Sequence, residues 1–117
     1  MTVINSEGGC SCGHVRYKIV SEPLIVHCCH CSVCQCQTGS AFVINALFEA
    51  SHVELLQGTV VEKVAPSPSG KGQNIARCPE CSVAVWSNYY MGGIQDGIRF
   101  IRVGTMDNPN LLPPDVH

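Results

Sequence analysis

The fold is decided by an N-terminal stretch that reads Gly9-Cys10-Ser11-Cys12-Gly13-His14-Val15-Arg16-Tyr17-Lys18-Ile19. A pair of cysteines is followed at 15–19 by alternating apolar and polar side chains, the pattern of a half-buried β-strand. Similar alternation recurs at 42–48, 60–64 and 98–103, and glycine-rich or proline-rich turns separate these segments. The sequence therefore predicts an all-β domain of antiparallel strands. One short helix is expected from Ser32 to Thr38, with Ser32 as its N-cap and Gly39 at its end.

The composition is that of a single small domain, which we expect to span residues 1–117. Apolar residues make up 45% of the chain and charged residues 14%, so a core can form. A net charge of -2 with no basic run argues against a nucleic-acid partner. No apolar stretch approaches the roughly 18 residues of a membrane helix, and the N-terminus lacks the features of a signal peptide. We therefore expect a cytoplasmic protein without a membrane partner.

Cysteine is the informative excess, with nine residues in 117. An odd number of cysteines in a reducing compartment favours metal binding over a disulfide framework. Two short pairs, Cys10-Ser11-Cys12 and Cys78-Pro79-Glu80-Cys81, together supply the four thiolates that structural zinc prefers. On a strand, Cys10 and Cys12 would point to the same face. These residues predict a closed zinc site; the alternatives are two separate thiol pairs or a redox C-x-x-C.

A second cluster lies in the segment His27-Cys28-Cys29-His30-Cys31-Ser32-Val33-Cys34-Gln35-Cys36. The period of a strand places Cys29 and Cys31 on one face, and Cys34 returns one helical turn after Cys31. The spacing therefore predicts that these three thiolates converge on a second zinc. Three protein ligands with an exchangeable fourth are typical of a catalytic zinc site.

Other side chains near this segment leave alternatives open. Cys28 or Cys36 could close the second site with a fourth thiolate, which would make it structural. We expect His27 and His30 to pack or face solvent rather than bind metal, although either could relay a proton. Trp86, Tyr89 and Tyr90 are expected to pack in the core and against an edge strand, or to form an aromatic wall beside a metal pocket.

Four motifs in this order resemble the glutathione-dependent formaldehyde-activating enzyme family, whose domain is shared with centromere protein V. They lie at 9–17, at 29–34 with 38–42, at 77–81 with Trp86, and at 104–109. The resemblance implies a β-tent fold of antiparallel sheets with zinc-binding knuckles, and two Zn²⁺ per chain. It assigns a structural zinc to Cys10, Cys12, Cys78 and Cys81, and a catalytic zinc to Cys29, Cys31 and Cys34.

The resemblance also implies the carbon–sulfur lyase activity of an S-(hydroxymethyl)glutathione synthase, in which a small thiol such as glutathione adds to formaldehyde. A zinc-bound sulfur nucleophile placed beside a small carbonyl would suit that reaction. Two other classes of function remain alternatives. One is a non-catalytic binding module in which both metals only stabilise the fold, and the other is a thiol-redox enzyme that uses Cys28 or Cys36.

The chain departs from the family pattern at three positions. Gln35 and Cys36 stand where the family commonly has basic residues, and Ser82 stands where it has glycine. The loss of basic residues weakens the expected recognition of an acidic substrate. The chain also ends at His117, close to where relatives usually continue with another apolar and aromatic segment.

Overall fold

A computed structural model describes residues 6–66, 72–89 and 97–108, and these residues form two antiparallel sheets and one α-helix. The strands are β1 (Ser6–Gly9), β2 (Arg16–Ile19), β3 (Ile25–Cys29), β4 (Val43–Glu49), β5 (Val53–Gln57), β6 (Val61–Ala65), β7 (Gln73–Arg77), β8 (Ala84–Tyr89) and β9 (Ile98–Arg102); the helix is α1 (Ser32–Thr38). Single 3-10 turns lie at Ala50–His52 and Val103–Thr105.

The smaller sheet has the strand order β1-β2-β5 and the larger sheet has the order β3-β4-β9-β8-β7-β6. The predicted all-β fold of antiparallel sheets is therefore confirmed. The four strands expected from alternation are found as β2, β4, β6 and β9, each within about a residue of the predicted bounds.

The core lies between the two sheets and is joined across them by aromatic packing. Tyr17 of β2 is fully buried, and its ring meets that of Trp86 on β8 edge to face, with centroids 6.0 Å apart. The Tyr17 hydroxyl shares a 2.7 Å hydrogen bond with Oγ1 of Thr105. Trp86 is thus a core residue, as one of the two interpretations of the sequence expected; the side chain of Tyr89 and all of Tyr90 lie outside the described residues.

Helix α1 ends as predicted but begins on a different cap. Gly39 adopts the left-handed conformation, φ 65°, and its N–H donates to the carbonyl of Gln35 at 2.9 Å. The N-cap is Cys31 rather than Ser32, because the Cys31 sulfur accepts the N–H of Cys34 at 3.4 Å. The prediction of Ser32 as the cap was wrong, since a thiolate sulfur can take the same role as a hydroxyl oxygen. No helix in the described parts of the chain is long and apolar enough to cross a membrane.

Strand register defines which side chains share a face of the larger sheet. Cys29 is the cross-strand partner of Val43, and Asn45 is the partner of Arg102. Directly opposed residues point to the same side, and so do residues two apart on a strand. Cys29, Val43, Asn45 and Arg102 therefore lie on one face, whereas Cys28 points to the other face and is buried.

Helix α1 packs on the face that carries Cys29, which we call the helix face. At one end of the helix, the Cys34 and Cys29 sulfurs are 3.0 Å apart. At the other end, Oε1 of Gln37 accepts a hydrogen bond from Nε2 of the buried Gln73 of β7 at 3.3 Å. The helix thus runs across the sheet from β3 towards β7.

Candidate metal centres

The sulfurs of Cys10, Cys12, Cys78 and Cys81 form a four-cysteine cluster in which all lie within 4.8 Å of one another. The Cys10 and Cys12 sulfurs are 3.6 Å apart, and those of Cys12 and Cys78 are 3.7 Å apart. A tetrahedron with zinc–sulfur bonds of about 2.3 Å has sulfur–sulfur edges of about 3.8 Å. The spacing of these four sulfurs therefore fits a tetrahedral metal ion.

Two turns position the four-cysteine cluster. Cys10 and Cys12 lie in the turn between β1 and β2, and Cys78 and Cys81 lie in the turn between β7 and β8. The expectation that Cys10 and Cys12 share a strand was wrong. Gly13 has φ 85°, which lets the chain turn at once after Cys12, and the N–H of Cys10 bonds the Val15 carbonyl at 3.2 Å. The turn brings the two sulfurs together in place of strand alternation.

Backbone N–H groups donate hydrogen bonds to two sulfurs of this cluster, those of Cys10 and Cys78. Val15 donates to the Cys10 sulfur at 3.2 Å, and both Glu80 and Cys81 donate to the Cys78 sulfur, at 3.3 and 3.4 Å. Partial desolvation acts to raise the pKa of Cys10, but the Val15 N–H and the neighbouring thiols lower it to about 6.

The pKa values of two further thiols in this cluster, Cys81 and Cys12, are shifted in opposite directions. N–H donation from Val83 and from Cys12 lowers the pKa of Cys81. The His14 N–H acts to lower the pKa of Cys12, yet desolvation and the hydrogen bonds to neighbouring thiols raise it to about 12. A metal-free cluster therefore retains protons that a bound cation would displace.

The sulfurs of Cys29, Cys31 and Cys34 form a three-cysteine cluster, again within 4.8 Å of one another. The Cys29 sulfur is 3.4 Å from that of Cys31 and 3.0 Å from that of Cys34. Cys29 ends β3, Cys31 caps α1 and Cys34 lies in its first turn, so the junction of strand and helix brings the three together. The predicted grouping of these thiols is what the structure contains.

The protonation of the three-cysteine cluster follows from its hydrogen bonds. Desolvation acts to raise the pKa of Cys31, but hydrogen bonds from the N–H of Cys34 and with the two neighbouring thiols lower it. Burial, followed by the hydrogen bonds to Cys29 and Cys31, raises the pKa of Cys34. The pKa values of Cys31 and Cys34 are therefore shifted in opposite directions, and a bound cation would favour the thiolate form of Cys34.

Neither of the other two nearby cysteines joins the three-cysteine cluster. Cys28 is 2% exposed, and its sulfur lies 3.4 Å from Nε2 of His30. Cys36 is exposed on α1. Among the described residues, no other cysteine, histidine or carboxylate has a donor atom in this cluster. Neither His27 nor His30 therefore belongs to it.

Both clusters have the chemistry to hold a metal ion. Clustered soft thiolates select zinc over magnesium or calcium, which take oxygen ligands. Four sulfurs would complete the coordination of one zinc, and three would leave one position for another ligand. The two clusters therefore differ in what they can do: the first can only hold a metal, and the second can also present it to a substrate.

The sequence did not predict a cavity of about 450 Å³, and none of the described residues that line it belongs to the three-cysteine cluster. Its wall includes Val43, the cross-strand partner of Cys29, together with Arg77 and Arg102. These residues come from three strands that are far apart in the chain. Alternation could place Arg102 on one face of its strand, but not show which strands lie beside it.

Comparison with known proteins adds a family and a fold. The profile of the family described as glutathione-dependent formaldehyde-activating enzyme matches residues 5–117 of the chain. A solved structure of a Rhodobacter sphaeroides protein, a structural-genomics target, superposes with a TM-score of 0.66 over 95% of this chain and 99% of that one. The two chains are 16% identical, so this similarity concerns the fold. No curated protein matches the chain significantly.

Proposed function

The chain belongs to the glutathione-dependent formaldehyde-activating enzyme family, and from this premise we propose that it catalyses the addition of a thiol, such as glutathione, to formaldehyde or another small carbonyl. The thiol sulfur forms a bond to the carbonyl carbon, the π electrons of the carbonyl move to its oxygen, and the thiol proton ends on that oxygen. With formaldehyde the product is the S-hydroxymethyl derivative of the thiol, a hemithioacetal. This is the reaction of a carbon–sulfur lyase of the S-(hydroxymethyl)glutathione synthase type.

One observation carries this proposal: the three-cysteine cluster has no fourth protein donor among the described residues. A zinc ion held by Cys29, Cys31 and Cys34 would supply a position at which an added thiol loses its proton more readily. The four-cysteine cluster supports the fold in this proposal, because its donor set is already complete.

The protein's own residues would hold the reacting groups in place. The Cys31 sulfur accepts the Cys34 N–H, and the Thr38 hydroxyl donates to the Cys34 carbonyl at 2.8 Å, so both ends of α1 restrain the position of Cys34. A fixed sulfur set lowers the entropy cost of bringing thiol and carbonyl together. His30 is exposed and stands between Cys29 and Cys31 in the chain, and its ring is 5.8 Å from that of Phe42 between centroids. His30 is therefore one candidate to accept the thiol proton, and His27 is the other.

Cobalt substitution tests the proposal, because thiolate-to-cobalt absorption reports each sulfur bound. Both zinc ions would be replaced by Co²⁺ and glutathione then added. We expect the absorption to increase in the native protein and equally in Cys36→Ser, and not to increase in Cys31→Ala. The Cys31→Ala variant also shows that the four-cysteine cluster is not the source of the change.

A different result would favour the binding module. If native protein gives no response and Cys36→Ser or Cys28→Ser creates one, that cysteine is a fourth ligand and the site is closed. Both metals would then act only as structural ions. A third outcome is that the protein leaves the cobalt absorption unchanged when thiol is added and reduces an added disulfide without any carbonyl compound. That result would assign it to the thiol-redox enzymes rather than to the lyases.

A further inference from the structure

Arg99 lies on the face of the larger sheet opposite to the helix face, which we call the core face. It is the cross-strand partner of the buried Phe48, and it stands two residues before Ile101, another core residue. Directly opposed residues, and residues two apart on a strand, point to the same side. The three-cysteine cluster belongs to the helix face through Cys29. The larger sheet therefore separates Arg99 from the site of the proposed function.

The guanidinium group of Arg99 is held by an aromatic ring. Its Cζ atom lies over the ring of Trp86, 4.6 Å from the centroid, which is a cation–π contact. Trp86 is 3% exposed and Arg99 is half-buried, so the core fixes the ring and the ring fixes the charge. Because the contact is made through the π face, it leaves the N–H donors of the guanidinium group available to a ligand.

No other group of the described chain neutralises the charge of Arg99. Among the described residues, none of the ion pairs involves Arg99, and its Nε is buried without a hydrogen-bond partner. Desolvation lowers the pKa of Arg99, and the charge of Glu62 only partly opposes this effect. Arg99 is therefore a partly desolvated cation with no counter-ion in contact, and an anion interacts more strongly with such a group than with a solvated one.

A second donor lies beside Arg99 on the core face. The register that pairs Trp86 with Ile101 brings Asn88 of β8 opposite Arg99 of β9. Asn88 is half-buried, and its Nδ2 donates to the carbonyl oxygen of Ile98 at 2.8 Å. An amide nitrogen carries two hydrogens, so one of them remains for a ligand next to the guanidinium group.

Glu62 restricts the charge that a ligand at Arg99 can carry. It is the cross-strand partner of Ala76, which is itself the partner of Trp86, so its side chain also belongs to the core face. The Glu62 carboxylate accepts a 2.9 Å hydrogen bond from Nδ2 of Asn74. Like charges repel, and the carboxylate therefore disfavours a dianion more than a singly charged anion.

We propose that Arg99 and Asn88 form a binding site for a small, singly charged oxyanion, such as a free carboxylate ion, on the core face of the larger sheet. The fork of N–H groups on a guanidinium pairs with two oxygens at once, which favours an oxyanion over a halide. This ligand is distinct from the thiol substrate, because the two sites lie on opposite faces. The bound anion stabilises the fold, since only the folded chain places Arg99 beside Asn88 and over Trp86.

The fluorescence of Trp86 tests this proposal, because Trp86 is the single tryptophan and contacts Arg99. The zinc-containing protein is titrated near pH 8 with sodium acetate and, separately, with acetamide, its neutral isostere. Sodium chloride keeps the ionic strength constant. We expect acetate to change the emission saturably, with a dissociation constant in the millimolar range, and to raise the melting temperature. Acetamide should do neither, and inorganic phosphate, mostly a dianion at this pH, should bind more weakly than acetate.

Substitutions of Arg99 separate its charge from its shape. Arg99→Gln should abolish both responses to acetate. Arg99→Lys keeps the charge without the fork, and it should bind acetate severalfold more weakly than the native protein. Lys63→Gln is the matched control: it removes an exposed positive charge of β6 and should leave the acetate affinity unchanged.

Glu62→Gln gives a test that leaves Arg99 in place, in case Arg99→Gln does not fold. Glutamine keeps an oxygen that can accept the Asn74 hydrogen bond but carries no charge, so acetate should bind severalfold more tightly, and phosphate should gain more than acetate.

Three results would overturn the proposed anion site. They are equal responses to acetate and acetamide, an unchanged acetate affinity in folded Arg99→Gln, and an unchanged acetate affinity in Glu62→Gln. Tighter binding of phosphate than of acetate by the native protein would overturn the assignment of a singly charged ligand. The response of cobalt to thiols enters none of these measurements, so the anion site and the proposed catalysis stand or fall separately.

Discussion

Replacing Cys78 with serine should unfold the protein, whereas replacing Cys31 with alanine should not. Cys78 is 1% exposed, and its sulfur contacts that of Cys12, which lies 66 residues earlier in the chain. A cross-link closing a loop of that length restricts the unfolded chain by about 4 kcal/mol. The three-cysteine cluster closes only the five-residue separation from Cys29 to Cys34, for which the same relation gives about 2 kcal/mol.

These magnitudes matter because a domain of this size has a total stability of about 5–15 kcal/mol. Losing the cross-link at Cys78, together with the metal–ligand bonds, should leave little or no folded protein at 25 °C. Cys31→Ala should lose about 2 kcal/mol and remain folded. Cys31→Ala should also lose one equivalent of zinc, whereas the unfolded Cys78→Ser variant should lose both.

Urea unfolding, followed by the fluorescence of Trp86, measures the change, and a colorimetric chelator measures bound zinc. Trp86 is the single tryptophan and is buried in the core, so its emission reports global unfolding. Cys36→Ser is the matched control because Cys36 is exposed and belongs to neither cluster. The reasoning would be refuted by a Cys78→Ser variant with the native urea midpoint, or by a Cys31→Ala variant that unfolds as completely as Cys78→Ser.

Three further changes have distinct expected outcomes. Ser82 has φ 67°, so Ser82→Gly should relieve a left-handed strain and raise the unfolding free energy by about 0.5–1 kcal/mol; a lower melting temperature would contradict this. Hydrogen bonding to Arg16 lowers the pKa of Asp107, and the pair therefore stabilises the fold above the ordinary carboxyl pKa and loses that effect as pH falls. Asp107→Asn should lower stability at pH 7 by about 0.5 kcal/mol, because the pair is exposed, and should match the native protein near pH 3; a difference independent of pH would count against the ion pair. Gly58→Ala should lower the melting temperature, since Gly58 has φ 81° and a β-carbon added there would clash with the carbonyl oxygen of His14.

Of the predicted strands, β2 alternates fully buried with half-buried residues, whereas β6 is almost entirely exposed and was predicted from its alternating residue types alone. Residues 98–103 alternate because Ile101 faces the core and Arg102 faces the helix face. On β2 of the smaller sheet, Tyr17 is fully buried and Lys18 is half-buried. The other five strands in the described parts of the chain, β1, β3, β5, β7 and β8, were not among those predicted from alternation. Val53–Gln57 is mostly exposed at a sheet edge, and Gln73–Arg77 places a buried glutamine where alternation would expect an apolar residue. Tertiary position determines both, and local pattern does not show it.

The candidate site divides in the same way between local and distant contacts. Grouping of Cys29, Cys31 and Cys34 follows from spacing of a few residues, so the sequence could predict it. The turn at Gly13 and the cap at Cys31 were missed because each depends on backbone angles that several residue types allow. The cavity arginines could not be predicted, since their proximity depends on the order β4-β9-β8-β7 in the larger sheet.

The most direct test of the central claim is the rate at which glutathione adds to formaldehyde, measured by exchange NMR with ¹³C-labelled formaldehyde. The uncatalysed reaction provides the baseline, and a folded Cys31→Ala protein that retains one zinc provides the control. We predict that the native protein accelerates exchange between free and adduct formaldehyde and that Cys31→Ala does not. Native protein that leaves the exchange rate at baseline, or folded Cys31→Ala that accelerates it as strongly as the native protein, would contradict the assignment of catalysis to the three-cysteine cluster.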